Sequence, residues 1–478
     1  MRRFVQGEDR EQNPFAPWRW DDCISDDNPV RVVDVFVAEL NLDELGFQGM
    51  RPRATGRPPY HPSSLLKIYL YGHLNRIQSS RCLERETQRN IEVMWLTGRL
   101  MPDFKTIADF RKNNGSAIRS VCQQFTALCR RLGLFSEAVV AVDGSKFKAV
   151  NNRDRTFTSA KVQKRIEQIA ASLKRTQSAL DLADLTEDVV VQSKAAKLRE
   201  KIAVLNKRMQ HLKAIETLVQ ATPDQQISLT DPDARSMATS GKGTGIVGYN
   251  VQTVVEARHH LIVAHDVTNV GNDRSQLAAM AQPAQAATGH QNLDVLADKG
   301  YFKGEQILAC QDAGMTPFVP RPSTSASKAE GRFDKHDFVY LAENNAYRCP
   351  AGERLNWRFA SVEDGMTLHV YWASTCQDCR LKAQCTTGPQ RRIKRWEHQA
   401  VLETMQQRLD QAPDKMAVRR QTVEHPFGTI KAWMGATHFL TRTLRRVSTE
   451  MSLHVLAYNL KRVMQVLGAK PLMAAMRA

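Results

Sequence analysis

The sequence lacks long hydrophobic runs. Its apolar stretches are each only a few residues long, whereas a helix that crosses a membrane needs about 20 consecutive apolar residues. The N-terminal segment MRRFVQGEDREQNPF has two arginines but lacks the apolar core of a secretory signal. We therefore expect a cytoplasmic protein that does not span a membrane.

Cysteines are few, and their number is odd. The chain has nine of them, which in a cytoplasmic protein argues against a disulfide framework. Four of them fall between residues 349 and 385. We interpret the other five as reduced packing residues. They are Cys23, Cys82, Cys122, Cys129 and Cys310.

Acidic residues are outnumbered by basic ones. The chain has 50 Asp and Glu against 67 Lys and Arg, which gives a formal net charge of +17. Each phosphate that a Lys or Arg neutralises releases condensed counterions, so this surplus favours a nucleic-acid partner over a merely basic soluble protein. The hydrophobic fraction of 42% is typical of a globular chain. A length of 478 residues predicts several domains.

Helical periodicity dominates the N-terminal part after an irregular, proline-rich segment that ends near residue 60. Apolar residues recur every three or four positions from Ser63 onward, and RCLERETQRNIEVMWLTG predicts a second helix that ends at Gly98. Thr106 is placed to cap a third helix, IADFRKNNGSAIRSVCQQFTALCRRLG. This arrangement is typical of DNA-binding motifs, but a small helical bundle with a solvated basic face fits equally well.

A β-strand is predicted at residues 139–150, VVAVDGSKFKAV. Two amphipathic helices follow, joined by DLADLTEDVV, and we expect them to form an inserted antiparallel helical hairpin. We expect this hairpin to be structural or dimer-forming rather than catalytic. Its apolar residues at heptad positions are Val162, Ile166, Ile169, Leu173, Leu180, Val191, Leu198, Ile202, Leu205, Met209 and Leu212.

Strands and helices alternate after the hairpin. GIVGYNVQTVVEARHHLIVAHDVT predicts two strands with a turn at Ala257–His260, and helix, strand, helix and strand follow up to TPFVPRP. Without the hairpin the order is strand, strand, strand, helix, strand, helix, strand. This order predicts a mixed α/β, ribonuclease-H-like sheet, which begins antiparallel and continues with parallel βα units.

Two aspartates end strands that are neighbours in such a sheet. Asp143 ends the first strand and Asp298 the fourth, so their side chains would converge. Facing carboxylates repel unless a cation lies between them, and magnesium prefers oxygen ligands. Two such ions, about 3.5–4 Å apart, can activate an attacking oxygen and stabilise a leaving one in phosphodiester displacement. Taken alone, Asp143 is more typical of a turn, because Asp-Gly commonly follows a strand there.

A third carboxylate is expected in AVRRQTVEHPFGTIKAWMG. On a continuous helix, Glu424 shares one stripe with Arg420, Phe427 and Lys431. Pro426 predicts that Glu424 lies at a helix break or a helix beginning. A glutamate between basic residues is usually a solvated ion pair, and it is the order of all three carboxylates that favours a metal site.

In these features the sequence resembles the DDE transposases of bacterial insertion sequences, in the branch with an N-terminal helical domain and a ribonuclease-H-like catalytic domain. The resemblance implies that Asp143, Asp298 and Glu424 are the catalytic residues and bind two Mg²⁺ or Mn²⁺ ions. It spans roughly residues 60–465 and is carried by HPSSLLKIYLYGHLNRIQSSRCLE, VVAVDGSKFKA, GYNVQTVV, LDVLADKGYF, RRQTVEHPFGTIKAWMG and LHVLAYNLKR.

The family's glutamate motif runs tyrosine, two residues, arginine, three residues, glutamate, six residues, lysine. Arg420 and Lys431 match its basic positions, which implies phosphate contacts, whereas Ala417 stands in place of the tyrosine. Beside Asp298, Lys299 and Tyr301 are interpreted either as contacts to the scissile strand or as exposed turn residues.

The implied reaction is cleavage at the terminal inverted repeats, followed by attack of the freed 3′-hydroxyl on target DNA. The expected partners are therefore terminal and target DNA, with a homo-oligomer in the synaptic complex, and the expected location is the bacterial nucleoid. Two alternatives stay open. One is a nuclease of the same fold that does not join DNA, and the other is a DNA-binding protein with an inactive centre.

The segment between Asp298 and Glu424 is longer than the sheet needs, and it contains YRCPAGERLNW and YWASTCQDCRLKAQC. Its four thiols suit a closed tetrahedral zinc site, but with only one tight CxxC pair, four free thiols are an equal alternative. The four are Cys349, Cys376, Cys379 and Cys385. Nearby basic residues suggest a further DNA contact: Arg380, Lys382, Arg391, Arg392, Lys394 and Arg395.

These patterns predict a division of the chain into domains. Residues 1–132 form an N-terminal helical DNA-binding domain, and 133–322 form the first part of the catalytic domain, interrupted by the hairpin at 158–222. Residues 323–398 form a Cys-rich insertion, and 399–470 form a C-terminal helical part that carries the glutamate.

Overall fold

The structure is a computed structural model that describes residues 19–51, 58–185, 189–238, 245–322 and 330–478. It is a mixed α/β protein, in which helices dominate both ends of the chain and the larger sheets lie between them in sequence. The helices before the first strand are α1 (Pro29–Ala38), α2 (Pro62–Leu74), α3 (Ser80–Arg89), α4 (Ile91–Thr97), α5 (Phe104–Asn113) and α6 (Gly115–Arg131).

Helix α1 corrects the expectation of irregular structure up to residue 60. The side chain of Asn28 accepts a hydrogen bond from the backbone N–H of Val30, and Pro29 occupies the first turn. Both are standard helix-start signals. The valines that follow have low helix propensity because they are β-branched. Their burial in the core overrides that preference.

Three details of the other N-terminal helices differ from the prediction. RCLERETQRNIEVMWLTG forms two helices, α3 and α4, and not one, because the backbone is extended at Asn90, whose side chain caps α4. Asp103 rather than Thr106 caps α5, because its Oδ1 accepts hydrogen bonds from the N–H groups of Lys105 and Thr106, each at 2.9 Å. The predicted long third helix is divided at Asn114, whose side-chain oxygen accepts a 2.7 Å hydrogen bond from Gln48 N. Gly98 ends α4 in the left-handed conformation, as predicted.

The central elements follow in chain order. They are β1 (Val139–Lys148), β2 (Thr156–Thr158), α7 (Ser159–Asp184), α8 (Val189–Gln220), β3 (Gln226–Ser228), β4 (Arg235–Ala238), β5 (Gly245–Glu256), β6 (Ile262–Thr268), α9 (Leu277–Thr288), β7 (Asp294–Leu296), α10 (Gly304–Asp312) and β8 (Thr316–Phe318). In the main sheet, β1 lies between β5, its antiparallel neighbour, and β7, its parallel neighbour. β8 extends the sheet beyond β7 in parallel, and β4 and β6 pair with β5 in antiparallel fashion.

Helices α7 and α8 pack against each other as a hairpin whose base is closed by the β2–β3 ladder. A small core at this base contains Phe157, Val162 and Leu212. Leu205 is also buried, as its heptad position predicts. The side chain of Val191 and residues 186–188 of the predicted linker lie outside the described part of the chain.

A second, antiparallel sheet follows that the sequence did not predict. Its own core is formed by Phe338, Tyr347, Leu355 and Tyr371. Its strands are β9 (Val339–Leu341), β10 (Ala346–Arg348), β11 (Arg354–Glu363), β12 (Met366–Trp372) and β13 (Ile393–Trp396), with the short helix α11 (Lys382–Cys385) before the last strand.

The C-terminal helices are α12 (Gln399–Gln411), α13 (Lys415–Gly428), α14 (Leu444–Leu467) and α15 (Ala469–Arg477), with a π-helical turn at Thr429–Trp433. The prediction that Glu424 lies at a helix break or beginning is wrong, because α13 begins at Lys415 and continues through Pro426. The irregularity comes after the proline, in the π-helical turn. Such turns accommodate a disturbed hydrogen-bond ladder.

Candidate active site

Asp143, inside β1, and Asp298, two residues after the end of β7, project toward the same helix. β1 and β7 are paired at Ala141 and Leu296, and these two residues pack in one core cluster with Val423 of α13. Side chains alternate across a strand. Two residues further along extended backbone, Asp143 and Asp298 therefore lie on the face that α13 covers.

Burial and nearby charges together set the pKa of Asp143. Burial raises the pKa of Asp143 to about 6, while the guanidinium of Arg419 and the N–H of Gly144 act in the opposite direction. The carboxylates of Asp298 and Asp273 raise this pKa further. The site therefore concentrates negative charge where β1 and β7 meet.

Gly144 is a strand residue and not part of a turn. β1 continues to Lys148, and Gly144 pairs with Gln252 of β5. A Cβ at Gly144 would lie 2.3 Å from Gln252 Nε2 and 2.7 Å from Asp273 Oδ1. Glycine follows Asp143 because the side chains beneath leave no room for a Cβ.

Those side chains form a buried polar network that sequence reasoning missed. Asn250 and Gln252 are both fully buried, and each donates a 2.7 Å hydrogen bond to Asp273 Oδ1. Tyr301 donates a 2.5 Å hydrogen bond to Gln252 Oε1. Burial raises the pKa of Tyr301, and the nearby aspartates add to the effect. The alternation of Asn250 and Gln252 along β5 is the only sequence signal for this network.

The residues beside Asp298 differ in exposure. Asp298 caps a single-turn helix at Lys299–Tyr301, and its Oδ1 accepts a 2.8 Å hydrogen bond from Gly300 N. Lys299 is exposed. Tyr301 is only 1% exposed, so a DNA contact would require this side chain to leave the core.

Arg419 is a further site residue that sequence reasoning missed. The glutamate motif indicated its neighbour Arg420 as a phosphate contact. Arg419 Nη2 lies 2.7 Å from Asp143 Oδ1, and only 12% of the Arg419 side chain is exposed. Arg420 is exposed to solvent. The position on the helix distinguishes the two arginines. Arg419 precedes the buried Val423 by one helical turn, so it faces the sheet.

Glu424 lies on α13 between two side chains that attach this region to β1. Arg419 contacts Asp143, and Lys431 Nζ donates to Ser145 Oγ at 2.6 Å. Glu424 itself is exposed. In the described ranges, His, Cys, Asp and Glu side chains nowhere come together in threes closely enough to hold a metal ion. The structure thus brings the two aspartates together and places Glu424 on the helix that covers them.

The four cysteines of the second sheet surround one cavity of about 30 Å³. Cys349 begins a tight turn, in which Gly352 has a left-handed φ of 90° and donates its N–H to Cys349 O at 2.9 Å. Burial raises the pKa of Cys385, Arg391 lowers it, and the other three thiols raise it. The other three are Cys349, Cys376 and Cys379.

The basic residues near this cluster are partly used inside the protein. Arg395 is buried and forms an ion pair with Glu403. Arg391 donates to the backbone oxygens of Cys385 and Phe333. Arg380 and Arg392 remain exposed.

Among the helices that the structure describes, none is long and apolar enough to cross a membrane.

Comparison with known proteins identifies two matching families. Residues 18–113 match a transposase domain (DUF772). Residues 216–460, just over half of the chain, match the transposase DDE domain. Asp298 and Glu424 fall within this second match, and Asp143 lies between the two matches. No curated protein matches the chain.

Among solved structures, the chain is similar to a cryo-EM structure of the piggyBac transposase synaptic complex with hairpin DNA. The sequence identity is 9%, and the alignment covers 95% of this chain and 80% of that chain with a TM-score of 0.31. A TM-score of this size supports no argument about this chain. The assignment depends on the two family matches, and the predicted family is confirmed: this chain belongs to the DDE transposase family.

Proposed function

We propose that this transposase cleaves DNA at the ends of an insertion sequence and joins the freed 3′-hydroxyl to target DNA, with Asp143, Asp298 and Glu424 as its catalytic carboxylates. The observation that carries this proposal is the arrangement of Asp143 in β1 and Asp298 just after β7, its neighbouring strand, under α13, the helix that presents Glu424. Arg419 and Lys431 attach this helix to β1 on both sides of Glu424.

The proposed fold of the catalytic domain is ribonuclease-H-like. The sheet order β6-β5-β1-β7-β8, antiparallel in its first part and parallel in its second, supports this assignment. We propose the boundaries predicted from the sequence: 1–132 as helical DNA-binding domain, 133–322 and 399–470 as catalytic domain, 158–222 as inserted hairpin and 323–398 as Cys-rich insertion. The DUF772 match over the N-terminal helices is consistent with the first boundary.

The donor set of the proposed site suits two hard divalent cations, Mg²⁺ or Mn²⁺. All three donors are carboxylates. The negative charges of Asp298 and Asp273 raise the pKa of Asp143, and a bound cation would reduce this repulsion. When bound, the ions supply activation of the attacking oxygen and stabilisation of the leaving oxygen.

The surrounding basic residues have separate proposed roles. Lys299 and Arg420 are exposed beside the carboxylates, and we assign them contacts to DNA phosphates. Lys431 and Tyr301 donate to Ser145 and Gln252 of the protein itself, so we assign them the positioning of the site.

Substitution of the carboxylates tests the proposal. Asp143→Asn, Asp298→Asn and Glu424→Gln should each abolish cleavage and strand transfer while DNA binding is retained, because the amide keeps the shape but loses the charge that binds the cation. Asp266→Asn, at an exposed aspartate of β6, is the matched control. A variant that keeps near-wild-type cleavage removes its residue from the catalytic set.

The alternative, a nuclease of the same fold, predicts cleavage without joining. A supplied DNA end with a free 3′-hydroxyl separates the two, because only a transposase inserts it into target DNA. As partners we propose terminal and target DNA and a homo-oligomer in the synaptic complex. The proposed place of action is the bacterial cytoplasm, at the nucleoid.

We also propose a structural Zn²⁺ ion at Cys349, Cys376, Cys379 and Cys385. The convergence of four thiols on one small cavity supports it, as does the tight turn that begins at Cys349. Among the described residues the thiols line this cavity without the geometry of a closed metal site. A structural metal would stabilise the second sheet, whose own core is small.

Metal analysis of the purified protein tests the zinc proposal. We expect close to one zinc per chain, lost in Cys376→Ser and retained in Cys82→Ser, whose thiol lies on α3 away from the cluster. Wild-type protein that is folded, purified with zinc in the buffer and still metal-free would exclude this site.

A further inference from the structure

A groove of about 790 Å³ opens at the base of the helical hairpin. It is formed by α7, α8 and the chain around β2, and we call it the hairpin groove. Phe157, Ile169 and Leu229 contribute apolar surface to it. The active site makes no use of this groove, since none of its lining residues belongs to the carboxylate cluster.

The lining of the hairpin groove is strongly basic. Asp154 is the one acidic residue in it, and Arg165 already pairs with this aspartate at 3.2 Å. Lys207 and Arg208 are exposed. The basic lining residues are Arg155, Arg165, Lys207, Arg208 and His211.

The positive charge continues along α8 beyond the groove. Lys197, Lys201 and Arg208 follow one another at i, i+4 and i+11, so they share the face of Val204, which lines the groove. All three basic side chains are exposed, and Glu200 is an exposed acidic neighbour. Together α7 and α8 contain 12 Lys and Arg against five Asp and Glu.

The chain leads from the proposed active site to the hairpin groove. Asp143 is five residues before the end of β1, and seven residues connect β1 to β2. At about 3.3 Å per residue the segment of β1 after Asp143 is about 17 Å long, roughly half of one 34 Å turn of duplex. A duplex whose cleavage site is at Asp143 is therefore longer than the part of β1 that leads toward the hairpin.

We propose that the hairpin groove, with the basic face of α8, binds the sugar-phosphate backbone of the DNA that passes the active site, an inference that rests on the proposed function. Lys and Arg contacts to phosphates are independent of base sequence. A second copy of the chain is disfavoured as the occupant, because a symmetric contact through this groove would bring like charges together.

Salt-dependent binding tests this assignment. The probe is a fluorescein-labelled duplex of random sequence and about four helical turns, about 40 bp, titrated in Ca²⁺ or EDTA so that cleavage does not interfere. Lys207→Gln combined with Arg208→Gln removes two phosphate contacts. The slope of log K against log salt should fall by about 1.8, since each contact contributes about 0.9. If the two salt plots meet at 1 M salt, we expect affinity at 0.1 M salt to fall about 60-fold.

The same helix provides a matched control. Lys213 is nine residues from Val204, about half a turn around the helix, and Arg199 is also directed away from the groove. Arg199→Gln combined with Lys213→Gln makes the same change in net charge, and it should leave slope and affinity near wild type. Circular dichroism and light scattering on both variants check folding and oligomeric mass.

Three outcomes overturn the inference. The first is an unchanged slope in the groove variant. The second is an equal loss in both variants, which would mean that net charge alone matters. The third is a groove variant with altered oligomeric mass and wild-type salt dependence, which would make the groove a protein interface. The proposed catalytic residues are tested separately. If Asp143→Asn retains cleavage, that proposal is wrong, but the result of the binding experiment still stands.

Discussion

Substitution of Gly144 by alanine tests the packing beneath Asp143. The new Cβ would lie 2.3 Å from Gln252 Nε2 and 2.7 Å from Asp273 Oδ1, so both side chains must shift by about 1 Å to reach ordinary contact. Overpacking of this kind costs about 1–3 kcal/mol. Disturbing the Gln252–Asp273 hydrogen bond adds about 1 kcal/mol. We expect a loss of about 2–3 kcal/mol, after the small gain from replacing a strand glycine.

Hydrogen exchange of peptides from β1 and β5 is the appropriate assay, because it isolates this sheet from the rest of a multidomain chain. The expected loss corresponds to about 30- to 150-fold faster exchange of the protected amides. Gly428→Ala is the matched control. It is helical, with nothing within 4 Å of its added Cβ, so it should stabilise by about 0.5–1 kcal/mol. Wild-type exchange in Gly144→Ala would refute the packing argument.

Two further predictions concern buried polar groups. Burial lowers the pKa of His73 to about 4, so the unfolded chain binds its proton below about pH 6.5 while the folded chain does not. His73 should contribute a fall in stability of up to about 1.4 kcal/mol per pH unit from pH 6.5 to 4, and His73→Gln should reduce the slope seen in urea unfolding by this contribution. Tyr249 is fully buried, and its hydroxyl lies 2.9 Å from both carboxylate oxygens of Asp231. Tyr249→Phe should cost about 1–3 kcal/mol in thermal unfolding; a smaller loss would mean that Asp231 is satisfied by Thr443 N alone.

Local patterns in the sequence predicted β1 and the order of the strands around it. The apolar run before Asp143 has the composition of a buried strand, and such runs reflect burial directly. The two longest strands of the second sheet, β11 and β12, alternate apolar and polar residues and carry no such run, and the sheet was not predicted. Helix α1 was missed because its β-branched valines have low helix propensity, which outweighs the start signals at Asn28 and Pro29.

The candidate site was predictable in its carboxylates but not in its supporting residues. Asp143 and Asp298 follow recognisable strands, whereas Asp273 reaches the site only through hydrogen bonds to Asn250 and Gln252 of another strand. Sequence spacing has no information about such contacts, which tertiary packing decides. Arg419 differs, since the phase of the buried residues in α13 distinguishes it from Arg420.

The β2–β3 ladder has a consequence for the evolution of this chain. Thr158 and Gln226 are opposite one another in it, so the polypeptide leaves for the hairpin and returns from it at points about 5 Å apart. Because the hairpin leaves and rejoins the rest of the chain at one place, it can gain or lose whole helical turns while β2 and β3 keep their pairing. Relatives of this protein are therefore free to vary the length of the arm, and we expect the catalytic sheet to tolerate its replacement by a tight turn.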